Sequence, residues 1–417
     1  MERYKHLLAN RPFARLWGGS TISAIGDSLT WVALVWLVVE RTGSAREVSV
    51  LVIFATAPTI VGGLVMGSAL DRTDRRRFLA LVNTVLGLAV LSVPVAAAVG
   101  SATLPHLFAV AALYGLLKMA NWAGVPSMLP TFVTDPDDLA TANAMESISF
   151  GLADIAGPAL SGLLIVVMGA AWVLGVDAAT YAVFVLALLS LPRVATPPRT
   201  LGRRGLGLGL GPAFRFIWRD RAIFATTAMF TAFNIGGGMM LVFLPYYALK
   251  QLHGDARTFG LLLSAFAVAA TAGAVVIGGM KWRLPIGRSI AGAQTLAGLS
   301  YLPMLALPPF VPSMCVLAVA GVFASPLTIW AQTLRMQRIP EEMRGRVFGM
   351  LRTVMQSTTP VGGALAGILI TTQGLRLTLW VVIAVTAIPG AIGLVIPALS
   401  PAKADVTRAR SPDGSNG

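Results

Sequence analysis

Stretches of about twenty apolar residues recur a dozen times along this 417-residue chain, and that recurrence limits its fold more than any motif does. A bilayer core is about 30 Å thick, and a helix rising about 1.5 Å per residue crosses it in roughly twenty residues. With 56% hydrophobic and 12% charged residues and a mean hydropathy of +0.75, the chain reads as an integral membrane protein. Lipid offers no water to backbone polar groups, so only helices or closed barrels can span it. Period-2 alternation is weak and short aromatic-rimmed segments are lacking, which argues against a barrel. The fold class is all-α.

Apolar windows and breaker residues place spans near 14–39, 47–69, 76–99, 105–129, 143–168 and 170–192, then 221–249, 257–280, 286–307, 311–335, 347–372 and 376–399. The long polar run "PRVATPPRTLGRRGLGLGLGPAFRFIWRDR" separates spans 6 and 7. The expected domains are a six-helix bundle over 1–192, a cytoplasmic linker over 193–220, a second bundle over 221–400 and a disordered tail over 401–417. The halves echo each other: Asp137 and Asp138 match Glu341 and Glu342 at an offset of 204, and Pro158 matches Pro360 at 202. Parallel repeats about an axis along the membrane normal are a transporter architecture with its substrate site near the midplane.

The net charge of +14 lies in short turns between spans rather than on a soluble face, so it speaks for topology and not for nucleic acid. With the amino terminus in the cytoplasm, only Arg41, Arg46, Lys250, Arg257 and Arg376 fall outside, and Lys118 within a span. This predicts a multi-pass protein of the cell (inner) membrane with both termini cytoplasmic. No small-residue cleavage site follows the first apolar stretch, which reads as a retained first span. One cysteine, Cys315, and scattered His6, His106 and His253 suggest neither disulfide nor metal site. "GLGLGLG" lacks the spacing of a nucleotide loop, and G-x-x-x-x-G-K-[ST] is missing. No cofactor and no enzyme activity are expected; movement draws on an ion or solute gradient.

One turn concentrates charge. "GSALDRTDRRR", 67–77, resembles the G-x-L-A-D-R-x-G-R-R loop between spans 2 and 3 of the major facilitator superfamily. Gly67, Asp71, Arg72, Arg75 and Arg76 match; Ala69 and Leu70 swap the usual order, and Asp74 replaces a glycine. "DRxDRRR" is similar to the branch holding macrolide efflux pumps, Tap-type multidrug pumps and an enterobactin exporter. "AIGDSLTWVALVWLV", "GVDAATYAVFVLALL" and "RGRVFGMLRTVMQSTTPVGGALAG" resemble that branch in order. The resemblance implies two pseudo-symmetric six-helix bundles and a cytoplasmic gate. Asp71 would cap the start of span 11 near Gly345 and Val347, and Arg75 would pair with an acid of the span 4–5 turn, where Asp135, Asp137 and Asp138 lie. A carboxylate at a helix amino terminus gains about 0.3–1 kcal/mol when exposed. Any basic loop would also serve topology.

"AGPALSG" resembles the antiporter motif through Gly157, Pro158, Ser161 and Gly162, with Ser161 replacing a glycine. "LYGLLKMANWAG" partly resembles a signature of proton-coupled members, with Lys118 near its arginine and Asn121 near its glutamine. Asp27 lies roughly 17 Å from each end of span 1, and Lys118 is as deep in span 4. An unpaired charge there costs at least about 2.5–3.5 kcal/mol, so such residues face a cavity, pair with each other or remain neutral. Since the resemblance implies that spans 1 and 4 line the cavity, Asp27 and Lys118 are candidates for a pair that protonation of Asp27 would break. Asp154 is a second proton candidate, and Asp177 a shallower acid. The resemblance implies that spans 1, 4, 7 and 10 line the cavity, which nominates Trp31, Trp36, Asn121, Trp122, Asn234, Met239 and Gln332. The expected protein is a monomeric, proton-coupled exporter of hydrophobic or amphiphilic small molecules such as drugs, with substrate, protons and the lipid bilayer as its partners. Dedicated export of a siderophore or other endogenous metabolite stays open, as does a non-transporting sensor descended from a carrier.

Overall fold

The computed structural model describes residues 2–70, 72–192, 210–280, 284–340 and 343–400. Described residues form helices and turns, with no strand among them. The first bundle comprises α2 (Arg11–Thr42), α3 (Ala45–Leu70), α4 (Arg75–Ala98), α5 (Leu104–Phe132), α6 (Pro136–Met168) and α7 (Ala170–Leu189), preceded by the short α1 (Glu2–Ala9). After α8 (Leu210–Arg219), the second comprises α9 (Arg221–Lys250), α10 (Ala256–Gly279), α11 (Ile286–Leu299), α12 (Phe310–Arg338), α13 (Arg344–Gln356) and α14 (Thr359–Val395). Aspartates cap several starts: Asp74 accepts from the Arg76 and Arg77 amides of α4, Asp135 from the first turn of α6, and Asp220 from that of α9.

Ten helical segments of the described residues are long and apolar enough to cross a bilayer. One of them, Arg346–Val395, turns back at Gly374 and makes two spans. Gly374 has φ +83°, a left-handed conformation that a side chain would strain. The predicted span 286–307 is not one helix: α11 ends at Leu299 and a 3-10 turn, Leu302–Ala306, completes the crossing. Pro303 lacks an N–H and disfavours the α conformation at Leu302, which explains the break. Together these give twelve spans in two sets of six. The predicted linker is in part helical, as α8 shows, while 193–209 and the tail 401–417 lie outside the described residues.

The duplication is visible in packing. Gly169, φ +84°, turns α6 into α7, and Gly374 makes the same turn 205 positions later. That spacing also relates Gly157, packed on Ser28 of α2, to Gly362, packed on the Ile235 carbonyl of α9. Gly162 meets Ala256 of α10, and its counterpart Gly367 meets Ser49 of α3. The register is therefore 205 rather than the 204 and 202 read from local motifs. α6 runs unbroken where its counterpart is interrupted at Ser357 and Thr358 between α13 and α14.

The bundles touch through α6 with α10 and α3 with α14. The closest contacts lie toward the face of the α2–α3 turn. Ser49 Oγ donates to the Gly363 carbonyl at 2.8 Å, Ser264 Oγ donates to that of Ile155 at 2.9 Å, and Trp36 stacks on Phe259 at 6.2 Å. Nearer the face where α2 begins, Gly63 and Gly67 of α3, Gly151 of α6, Gly278 of α10 and Gly349 of α13 have nothing within 4 Å of a Cβ placed there. The bundles are thus closed at one face and parted at the other, here termed the terminal face.

Candidate functional site

A cavity of ≈ 450 Å³ lies between the bundles, walled by α2, α3, α5 and α6 on one side and by Leu241, Arg352 and Gln356 on the other. Asp27 sits in its wall with 8% of its surface exposed. Lys118 Nζ of α5 stands 3.7 Å from Asp27 Oδ2 and donates to the Tyr114 hydroxyl at 2.8 Å. Tyr114 in turn donates to the Asp27 backbone carbonyl at 3.2 Å, and the Tyr181 hydroxyl of α7 donates to Asp27 Oδ1. One carboxylate is therefore held by a cation on one oxygen and by a phenol on the other. Asp154 of α6 is exposed on the same wall, beside Trp31, Trp122 and Phe150.

Below this pair, toward the terminal face, Arg352 of α13 crosses to the other bundle. Its guanidinium carbon lies 3.6 Å from the centre of the Trp122 ring. This contact bridges the bundles on the side where the glycines above face open space.

The model of the transmembrane secretion effector family, a branch of the major facilitator superfamily, matches residues 6–412. The chain belongs to the major facilitator superfamily. It is a membrane transporter, and its family's proteins are not enzymes. The chain is 29% identical to the multidrug efflux pump Tap of Mycobacterium tuberculosis over 91% of each chain. It is 24% identical to the enterobactin exporter EntS of Salmonella typhimurium, covering 83% of this chain and 82% of that one. A bacterial homologue of the iron transporter ferroportin, solved in its inward-facing state, superposes with a TM-score of 0.71 at 16% identity, over 92% of this chain and 98% of that one.

Of the residues expected to form the superfamily's site, the structure brings Asp27, Lys118, Asp154, Trp31 and Trp122 together around the cavity. It does not bring the others there. Trp36 is buried against Phe259 at the closed face. Asn121 exchanges amide hydrogen bonds of 2.8 Å with Asn83 in the α4–α5 seam. Asn234 donates to the Phe230 carbonyl of its own helix, Met239 is fully buried in the core, and Gln332 is exposed outside the cavity. The wall uses other residues: Arg352, Gln356, Thr56 and Thr59 lie on α13 and α3. Asp177 is fully buried, accepting from Thr30 at 2.5 Å and Thr180 at 2.7 Å, and ties α2 to α7 away from the cavity.

In the charged turn, Asp71 lies outside the described residues, as do Glu341 and Glu342. Arg75 donates to the Ser127 carbonyl at 2.8 Å instead of meeting an acid of the α5–α6 turn. Arg76 donates to the carbonyls of Leu188 and Leu189, Arg72 is exposed, and Asp135 is spent on its helix cap. Asp138 meets His6 of α1 at 3.1 Å. With the terminal face parted, these groups bond within the first bundle, and Gly345 stands in the first turn of α13. In the glycine motif, Gly157 and Ser161 face α2, Ser161 donating to the Leu29 carbonyl at 3.1 Å. Gly162 and the Pro158 carbonyl face α10. One helix turn thus seats α6 on its own bundle and on the other.

Proposed function

We propose that this carrier exports hydrophobic or amphiphilic small molecules in exchange for protons, by alternating access, with its terminal face in the cytoplasm. The observation behind the reading is the Asp27 carboxylate shared between Lys118 and Tyr181 in the wall of the cavity between the bundles. A charge at this depth is costly without a partner, and Asp27 and Lys118 serve as each other's counter-charge at 3.7 Å. A proton delivered to Asp27 removes that partner and frees Lys118, whose other acidic neighbour on the wall is Asp154. Proton and substrate then act on the same charges, and that competition makes exchange possible. The export direction draws on the names of the two relatives, an efflux pump and an exporter.

In this reading the described form is open to the cytoplasm and collects substrate there. The opposite form requires the terminal face to close, with Asp71, Arg72, Arg75 and Arg76 brought against the start of α13 near Gly345. Two experiments test it. In proteoliposomes with an imposed pH gradient, Asp27→Asn is expected to bind a lipophilic dye cation yet lose gradient-driven transport; wild-type transport rates would overturn proton coupling at this residue. In intact cells, with Cys315 replaced, a membrane-impermeant maleimide is expected to label Ser101→Cys and to spare Arg72→Cys. The reverse pattern would invert the topology.

A further inference from the structure

A second, smaller cavity of ≈ 210 Å³ lies inside the carboxy-terminal bundle, bounded by Phe233, Met240, Leu263, Phe266 and Leu317. Tyr301 and Thr386 supply the hydroxyls among its lining residues, and no charged side chain lines it. Leu241 belongs both to this wall and to the wall of the central cavity, so the two spaces adjoin at that side chain. On α9 the lining positions 233, 237, 240, 241 and 244 form one helical face turned to the pocket. The glycine at 237 is what leaves the space open: a Cβ there would meet nothing within 4 Å.

The two cavities differ in chemistry. The central one carries Asp27, Asp154, Lys118 and Arg352 together with the faces of Trp31 and Phe150. The inner one is lined by hydrocarbon and aromatic groups. Lys118 already occupies Asp27 and Arg352 already covers Trp122, which leaves the exposed Asp154 carboxylate and the Trp31 and Phe150 rings to receive an organic cation. A ligand reaching across Leu241 would place its charged end there and its apolar end in the inner pocket. We propose that the inner cavity is the seat for the apolar end of a cationic amphiphile whose head lies in the central cavity. The proposal rests on the transport reading of the central cavity and adds the substrate class: a compact hydrophobic group joined to an organic cation.

Binding of n-alkyltrimethylammonium ions, from methyl to octyl, to the purified protein in nanodiscs tests it. Each methylene that enters an apolar pocket is expected to tighten binding about fourfold until the pocket is full, after which the affinity levels off. Gly237→Leu, whose side chain would occupy the pocket, is expected to flatten that dependence while leaving tetramethylammonium binding as in wild type. Phe266→Ala enlarges the pocket and is expected to move the levelling point to a longer chain. Asp154→Asn is expected to weaken the whole series by one common factor. A chain-length slope that neither pocket variant changes, in proteins whose thermal melting matches wild type, overturns the proposal, as does a series that does not bind. If the slope behaves as expected but no pH gradient drives uptake of the octyl member, the pocket stands and the proton-coupled reading falls.

Discussion

Arg352 and Trp122 show what a single side chain does here. The guanidinium covers the indole face at 3.6 Å from the opposite bundle, on the side where the bundles are otherwise parted. Such a contact contributes about 0.5–1 kcal/mol when exposed and about 2 when desolvated, so it biases how freely solvent reaches the cavity without locking it. With Cys315 replaced, a cysteine at Ser28 on the cavity wall should react roughly 2- to 30-fold faster with a water-soluble maleimide from the terminal face when Arg352 becomes Ala. Lysine at 352 should restore part of the protection, and equal rates in all three proteins would remove the bridge. Sequence alone made the Asp27–Lys118 pair legible, because charges buried in spans must find partners. It hid Arg352, which lies within the predicted span 347–372 but was not singled out as a charge of the cavity. It also nominated Asn121, whose polarity is consumed by Asn83.

Among the helices, position along the axis was legible and facing was not. Most span ends fall within about four residues of the predicted ones because hydropathy changes sharply there; the start of α6 at Pro136 and the end of α11 at Leu299 do not. Helices such as α3 and α5 carry few polar residues among apolar ones that meet lipid on one side and protein on the other, so hydropathy marks their inner faces poorly. That is why Met239 was nominated where Met240 and Gly237 turn to open space. Glycine contacts supply the missing direction. Gly260 abuts the Pro158 carbonyl across the closed face, whereas Gly63 meets nothing. Valine at 260 must therefore push α10 from α6, and overpacking of this kind costs about 1–3 kcal/mol, a population shift of roughly 5- to 150-fold toward forms open at that face. Labelling of Ser264→Cys from outside should rise accordingly and transport should fall. Alanine at 63 should change neither, and equal effects of the two substitutions would mean that α6–α10 packing does not set the state.

For the molecule as a whole, the twofold relation between bundles makes a specific demand. Gly162 with Gly367 place equivalent contacts at the closed face, and Gly169 with Gly374 make the equivalent turns there, so closure draws on both halves. The terminal face shows no such paired seam among the described residues of this open form, and on the proposed reading the charged turn of the first bundle takes part in closing it. Two aspartates three residues apart then have separable roles. Asp74 caps α4 within its own bundle, and losing that cap should cost about 1 kcal/mol of stability in either state. Asp71, if it meets the free amides at the start of α13, acts only when the terminal face is shut. Asp71→Asn should shift the population by about 0.3–1 kcal/mol toward the form described here, which lowers Ser264→Cys labelling from outside by roughly 2- to 5-fold. Asp74→Asn should lower the melting temperature and leave that labelling unchanged. The sign follows from which state each carboxylate stabilises, so identical labelling in the two variants would show that the turn fixes topology without gating.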